Sequence, residues 1–250
     1  MRIQDQKDVL GIMAIGRIVA LTRDRMGQQV QPGMTTAELD AIGASLLKQH
    51  GARSAPILAY KFPGATCISI NDEAAHGIPG DKCIQPGDLV NIDVSAEKDG
   101  YWADTGMSVV VPPTTKEKTA LLKHTRKALE IALEQTFDGQ PVNEIGRAVE
   151  QYAHEYGYEI IEELGGHGLG RHIHEPPSVP NYYKRNARQR LVEGTVLTLE
   201  PFLTLGARHV DTMADGWTLR TTDGSLVAQF EHTVIVQRGK PIVVTPFASN

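Results

Sequence analysis

The sequence predicts an α+β fold in which a helix–helix–strands unit is written twice, folded about a pseudo-twofold with antiparallel sheet at its centre. Three observations predict it. Two helical periods followed by short β-like runs recur in the second half of the chain. Two of the strands match one another, GDLVNID at Gly87 and GTVLTLE at Gly194. No linker-like or low-complexity segment separates the halves, about residues 1–112 and 113–250, so a single domain over 1–250 is expected.

The elements follow in order. Residues 5 to about 26 carry Val9, Met13, Ile18 and Leu21 at the spacing of an amphipathic helix. Pro32-Gly33 turns the chain. Thr35-Thr36-Ala37-Glu38 is a capping box, in which the Thr35 hydroxyl and the Glu38 carboxylate each take a free backbone N–H. Leu39, Ile42 and Leu46 continue this second helix, and Gly51 ends it. Short β-like runs follow over 67–70, 89–94 and 101–111. The second half opens at another expected capping box, Thr114-Thr115-Lys116-Glu117, and Ala120, Leu121, Ala128, Leu129, Ile131 and Leu133 extend it. Pro141 separates a shorter helix over about 143–156, closed by Gly157. Residues 159–163, a glycine-rich stretch and strands over 195–203, 218–220 and 226–236 complete the unit.

Composition narrows the function. The formal charge of −5 argues against binding specific nucleic acid or an anionic membrane, because phosphates are held by clustered Lys and Arg. The hydrophobic content of 41% is that of a folded globular chain. Cys67 and Cys83 fit neither a disulfide framework nor a metal spacing, and read as reduced thiols. The N-terminus has no secretory signal, and the apolar stretch 9–21 is interrupted by Arg17 and too short to span a bilayer. A soluble, cytoplasmic monomer is expected.

The two matched strands each end on an acid, six residues after the glycine: Asp93 in one, Glu200 in the other. Period two sets Val90 and Ile92, like Leu197 and Leu199, on one face, and puts Asn91 with Asp93, like Thr198 with Glu200, on the other. Two further strands, YWADTGMSVVV and AQFEHTVIV, align Asp104 with Glu231. One such acid would be an ordinary solvated side chain on a sheet. Four in two matched pairs, gathered by a pseudo-twofold, would raise one another's pKa. Divalent cations are the usual remedy, and four carboxylates balance two of them. They would also offset most of the acidic surplus. Carboxylate-rich coordination suits Mn, Fe(II), Co or Mg. Gly165-Gly166-His167-Gly168-Leu169-Gly170 offers an imidazole, and lacks the Lys-Ser/Thr of a phosphate loop. His172 and His174 follow at once, and His76 stands on a Gly-Pro turn just after a strand.

These residues resemble a family. FPGATCISINDEAAHGIPG, GDLVNIDVSAEKDGYWADTG, GGHGLGRHIHEPP, TLEPF and AQFEHTVIV are similar, in order and spacing, to the motifs of type I methionine aminopeptidases of the pita-bread fold. The short N-terminal part resembles the bacterial form without a zinc-finger or linker segment. The resemblance implies five metal ligands: Asp93, Asp104, His167, Glu200 and Glu231. Asp104 and Glu231 would bridge two divalent ions, which could be Co, Mn, Fe(II) or Zn. Asp93 would complete one ion's shell, and His167 with Glu200 the other's. His76 would face the scissile nitrogen and His174 the scissile carbonyl oxygen. Phe62, Cys67 and Trp217 would line the methionine pocket, with Ala59 or Tyr60 beside it. His172 matches no ligand of the family and is expected either behind the ligands or at the rim of the site.

The implied reaction is removal of the N-terminal Met from nascent proteins and peptides whose second residue is small. A metal-activated hydroxide would attack the first peptide bond, and Glu200 would shuttle the proton. Transient ribosome contact is compatible with a near-neutral metal-loaded surface. The nearest rival is a relative cleaving Xaa-Pro bonds, which usually has a large extra N-terminal domain and tends to carry Gly where this chain has Phe202. A pseudoenzyme that only binds a partner is a rival from another class, but such proteins generally lose metal ligands.

Overall fold

The Asp5 carboxylate accepts the Asp8 N–H and starts α1 (Gln6–Gln29). The first capping box forms as expected and opens α2 (Thr36–Gln49): Thr35 Oγ1 accepts the Glu38 N–H at 3.1 Å and Glu38 Oε2 accepts the Thr35 N–H at 2.8 Å. The strand β1 (Arg53–Ser54) and the short helix α3 (Ala55–Tyr60) come next, and neither is expected from the sequence pattern. They lead to β2 (Cys67–Ile70), β3 (Glu73–Ala75), β4 (Leu89–Lys98) and β5 (Tyr101–Val110). The computed structural model describes residues 1–248.

In the second half, α4 (Lys116–Glu134) is capped by Thr115, whose hydroxyl accepts the Lys118 N–H at 3.2 Å. Lys118 therefore takes the position that Glu117 would need, and the expected box on Thr114 does not form. The helix α5 (Val142–Glu155) follows. Then come β6 (Glu159–Ile160), β7 (Gly165–Gly168), β8 (Glu175–Pro180), β9 (Val196–Leu199) and β10 (Phe202–Thr204). The chain ends in β11 (Val210–Thr212), β12 (Leu219–Thr221), β13 (Val227–Gln229), β14 (His232–Ile235) and β15 (Ile242–Val243).

Two expected strands are each broken in the middle. Residues 195–203 divide at Glu200-Pro201 and residues 226–236 divide at Phe230-Glu231. Pro201 has no N–H to give to a ladder, so pairing lapses there. The pairs Leu199 with His232 and Phe202 with Gln229 nevertheless keep one register. Glu200 thus falls opposite Glu231, and Pro201 opposite Phe230.

The sheets carry the doubling. β4 pairs along its whole length with β5 on one edge, and with β2 and β1 in series on the other. In the second half β9 lies between β14 and β7, within the order β15-β14-β9-β7-β8. The halves meet where β5 runs beside residues 229–233. Glu231 N–H donates to the Gly106 carbonyl at 2.9 Å, and Thr233 Oγ1 both accepts the Asp104 N–H at 3.0 Å and donates to the Asp104 carbonyl at 2.7 Å.

Each half buries its own apolar face. Val90 and Ile92 of β4 pack with Ile12, Ile15 and Val19 of α1 in one cluster, while Leu197 and Leu199 of β9 pack with Leu121, Leu129 and Val149 of α4 and α5 in the other. Burying each such side chain contributes about 1.5–3 kcal/mol. The alternation in β4 and β9 then turns their polar faces, with the acids, toward the middle. Among the described residues no helix is long and apolar enough to cross a membrane.

Candidate metal centre

Asp93 lies in β4 and Asp104 in β5. Asp93 pairs with Gly106 and Asp104 with Ser95, so the two acids stand diagonally on one face of the ladder. Glu200 and Glu231 stand at the two interrupted points of the second-half ribbon, opposite one another. His167 comes from β7, which lies tight on β9: a Cβ on Gly166 would sit 2.2 Å from the Thr198 carbonyl oxygen. Only glycine permits that approach. The structure therefore brings Asp93, Asp104, His167, Glu200 and Glu231 to one cavity of about 390 Å³.

The His167 tautomer follows from its neighbours. Nδ1 is 3.0 Å from the Gly168 carbonyl, which can only accept, so Nδ1 holds the proton. The Nε2 lone pair is left to face the acids, 3.6 Å from Glu200 Oε1 and 3.8 Å from Asp104 Oδ2. Single donor atoms of Asp104, His167 and Glu231 all lie within 4.8 Å of one another. Asp104 Oδ1 and Glu231 Oε1 are buried with no hydrogen-bond partner among the described residues. Buried carboxylate oxygens without partners are costly, and a cation between them would satisfy both. Hard oxygen donors with one imidazole fit a divalent ion of the Mn, Fe(II), Co or Zn kind.

Crowding shows in the acid–base properties. Burial pushes the Asp104 carboxyl up to about 6. Burial, together with the Asp104 charge, pushes Asp93, Glu200 and Glu231 well above the usual carboxylate range. Burial pushes His167 down to about 3, so its imidazole stays neutral and available as a ligand.

A further set of side chains holds the ligands in place. Thr198 Oγ1 accepts the His167 N–H at 3.0 Å and donates to Glu200 Oε1 at 3.2 Å. Gln229 Nε2 donates to Glu231 Oε2 at 3.1 Å, and Asn91 Nδ2 donates to Gln229 Oε1 at 2.8 Å. A Cβ on Gly106 would stand 2.4 Å from Gln229 Oε1, so the Gln229 amide needs glycine there. Behind the ladder the fully buried Arg23 donates to Thr105 Oγ1, which in turn donates to the Glu231 carbonyl at 2.9 Å. Its positive charge also lowers the cost of charge on Glu231. Asn91 and Thr198 were visible as neighbours of the acids on the polar face. Arg23 gives no signal, because the groups it holds across the seam are far away in sequence. Gln229 stands two residues before Glu231, the same offset as Asn91 before Asp93, and that offset is the signal that could have found it.

The cavity continues from the acids into a pocket. Phe62 and Trp217 meet edge to face with centroids 5.3 Å apart, and Cys67 stands in β2 opposite Asp93. Burial and the nearby acids push the Cys67 thiol well up, so it presents a neutral, soft wall. His76 and His174 line the same cavity, as does Tyr60, while Ala59 does not. His76 has φ 55, a left-handed conformation uncommon outside glycine. Burial lowers the pKa of both His76 and His174. His172 is exposed and outside the cavity lining; its N–H donates to Glu175 Oε1 at 2.7 Å. Pro56, Ser95 and Ile173 also line the cavity and were not singled out in the sequence.

Comparison with known proteins places this geometry. The model of metallopeptidase family M24 matches residues 11–238. The chain is 44% identical over 247 residues to methionine aminopeptidase 2 of Bacillus subtilis, covering 98% of this chain and 99% of that one. It matches the crystal structure of methionine aminopeptidase from Rickettsia prowazekii with a TM-score of 0.94 at 36% identity, over 98% of this chain and 100% of that one. A prolidase from Pyrococcus furiosus matches with a TM-score of 0.81 at 24% identity, over 99% of this chain but 66% of that one, which is a likeness of fold. The fold is the pita-bread fold.

The raised carboxylates predict proton release on metal binding. Near pH 6 the metal-free site holds protons on its acids, and cation binding must displace them. Neutral His167 contributes none. As pH rises the acids lose protons beforehand, so fewer are released and apparent affinity increases. Calorimetric titration of Mn(II) at pH 6 in two buffers of different ionisation enthalpy should show protons released. Buffer-independent heats at pH 6 would contradict it.

Proposed function

Because the chain belongs to metallopeptidase family M24, we propose that it is a type I methionine aminopeptidase, removing the N-terminal Met from peptides and nascent polypeptides whose second residue is small. The observation that carries this reading is the joining of the carboxylate–imidazole centre to a soft, apolar pocket in one cavity. The likeness along the whole chain to proteins named methionine aminopeptidase supports it.

The proposed roles follow from position. Asp93, Asp104, His167, Glu200 and Glu231 would hold the two divalent ions. The buried oxygens of Asp104 and Glu231 that lack hydrogen-bond partners among the described residues support their part in this. When bound, such ions supply Lewis acidity that makes hydroxide available from water at neutral pH. Glu200, held by Thr198, would take a proton from the attacking water and return it to the leaving nitrogen. His174 would donate an N–H to the scissile carbonyl oxygen as negative charge develops there. His76 would steady the scissile nitrogen. Phe62, Cys67 and Trp217 would enclose the methionine side chain, whose flexible thioether suits soft apolar walls.

Cleavage of Xaa-Pro bonds is the competing reading, and Phe202 after Glu200-Pro201 speaks against it. Purified protein with Mn(II) or Co(II) should release Met from Met-Ala-Ser and leave Ala-Pro-Ala intact. No Met release with any metal would overturn the proposal.

The partner side of the proposal is transient contact with the ribosome. Lys184, Arg185, Arg188 and Arg190 are exposed within residues 181–192 of the loop between β8 and β9, a stretch without an acid; Glu193 follows it and pairs with Arg238. Such a cluster suits a phosphate backbone despite the acidic whole. Reversing Lys184, Arg185 and Arg188 to Glu should reduce co-sedimentation with ribosomes at low salt while Met-Ala-Ser turnover is kept. Unchanged sedimentation would count against this surface.

A further inference from the structure

Tyr60 stands in the cavity for a reason that can be traced. The helix α3 ends because Lys61 takes a left-handed conformation, φ 59 and ψ 33, with its N–H directed to the Ile57 and Pro56 carbonyls. That reversal sends the residues on either side of Lys61 to different walls of one cavity. Phe62 meets Trp217, and Tyr60 meets His174, with ring centroids 5.7 Å apart. The Tyr60 hydroxyl oxygen is 2.5 Å from His174 Nδ1.

This contact has a direction. A neutral imidazole has one donor nitrogen and one acceptor nitrogen. An ordinary phenol keeps its proton at neutral pH, so the Tyr60 hydroxyl has one to give. A phenol hydroxyl donates more readily than it accepts, because its oxygen lone pair is shared with the ring. Nδ1 of His174 is then the acceptor, and the ring proton sits on Nε2. The neighbouring ring is arranged the opposite way. His167, with its centroid 4.1 Å from that of His174, has Nδ1 held by a carbonyl and its Nε2 lone pair facing the acids. On this reading the two adjacent imidazoles take opposite tautomers, one presenting a lone pair and the other an N–H.

We propose that Tyr60 is a positioning residue for the reaction: its hydroxyl fixes the orientation and tautomer of His174, so that Nε2–H is ready to donate to the scissile carbonyl oxygen. This rests on the aminopeptidase reading, and it gives a role to a position that family resemblance leaves open. Tyr60 touches no substrate atom in this role; it acts through His174.

Tyr60→Phe keeps the ring and removes only the hydroxyl. With Met-Ala-Ser and saturating Mn(II), kcat should fall about ten-fold, the worth of one hydrogen bond, while KM changes by less than about two-fold. In a His174→Ala background the same substitution should cause no further loss. Nitrogen-15 NMR of histidine-labelled protein should find His174 as the Nε2–H tautomer in the wild type and as a mixture of tautomers in Tyr60→Phe. Unchanged kcat in Tyr60→Phe would overturn the proposal. So would an Nδ1–H tautomer in the wild type, or a loss that persists without His174. Failure of the wild type to release Met would instead overturn the aminopeptidase reading, and the tautomer measurement would still decide the role of Tyr60.

Discussion

Mutual repulsion among four carboxylates at one cavity is the constraint on which the rest of the structure depends. Asp93, Asp104, Glu200 and Glu231 are brought together by two ladders, and burial drives their pKa values up. A fold that gathers such groups must hold them against their own repulsion. It does so from the backbone. Asp104 and Glu231 are tied across the seam through Thr105 and Thr233, and the buried cation Arg23 is anchored behind that seam. Divalent ions would complete the balance from the front.

The doubling of the chain explains how such a site is built. Each half lays one apolar strand face on its own pair of helices, so the polar faces of β4 and β9 turn toward the middle. Asn91 and Thr198, at matching places in those strands, both orient the centre, Asn91 through Gln229 to Glu231 and Thr198 directly to Glu200 and His167. The second half departs from the first by interrupting its ribbon at Glu200 and Glu231. The strands β4 and β5 present their acids diagonally from a continuous ladder, whereas the second-half acids stand opposite one another at a break.

Much of this was legible in the sequence, for physical reasons. Strict alternation in GDLVNID and GTVLTLE placed Asp93 and Glu200 on the polar face, and the first capping box opened its helix where expected. The second box was misread, since Thr114 and Glu117 have the right spacing but Thr115 begins the helix. The breaks at Pro201 and Glu231 were hidden inside long apolar runs. The helix α3 was invisible because APILAY is too short for a period to show, and with it went the choice between Ala59 and Tyr60. His167 and His172 look alike in sequence. Only the packing of β7 on β9 puts one in the cavity and leaves the other outside. The part played by Arg23, and the link from Asn91 to Gln229, depend on contacts between distant segments, which no local pattern carries.

The central proposal is that the four acids and His167 would together hold two divalent ions, and that neither is held tightly without the Asp104 carboxylate. Calorimetric titration of Mn(II) into the wild type and into Asp104→Asn tests it most directly, because a neutral amide is a poor ligand. The account predicts that the wild type takes up two ions per chain, and that the variant, still folded by circular dichroism, binds neither tightly and releases no Met. Uptake of two ions by Asp104→Asn with wild-type affinity would contradict it.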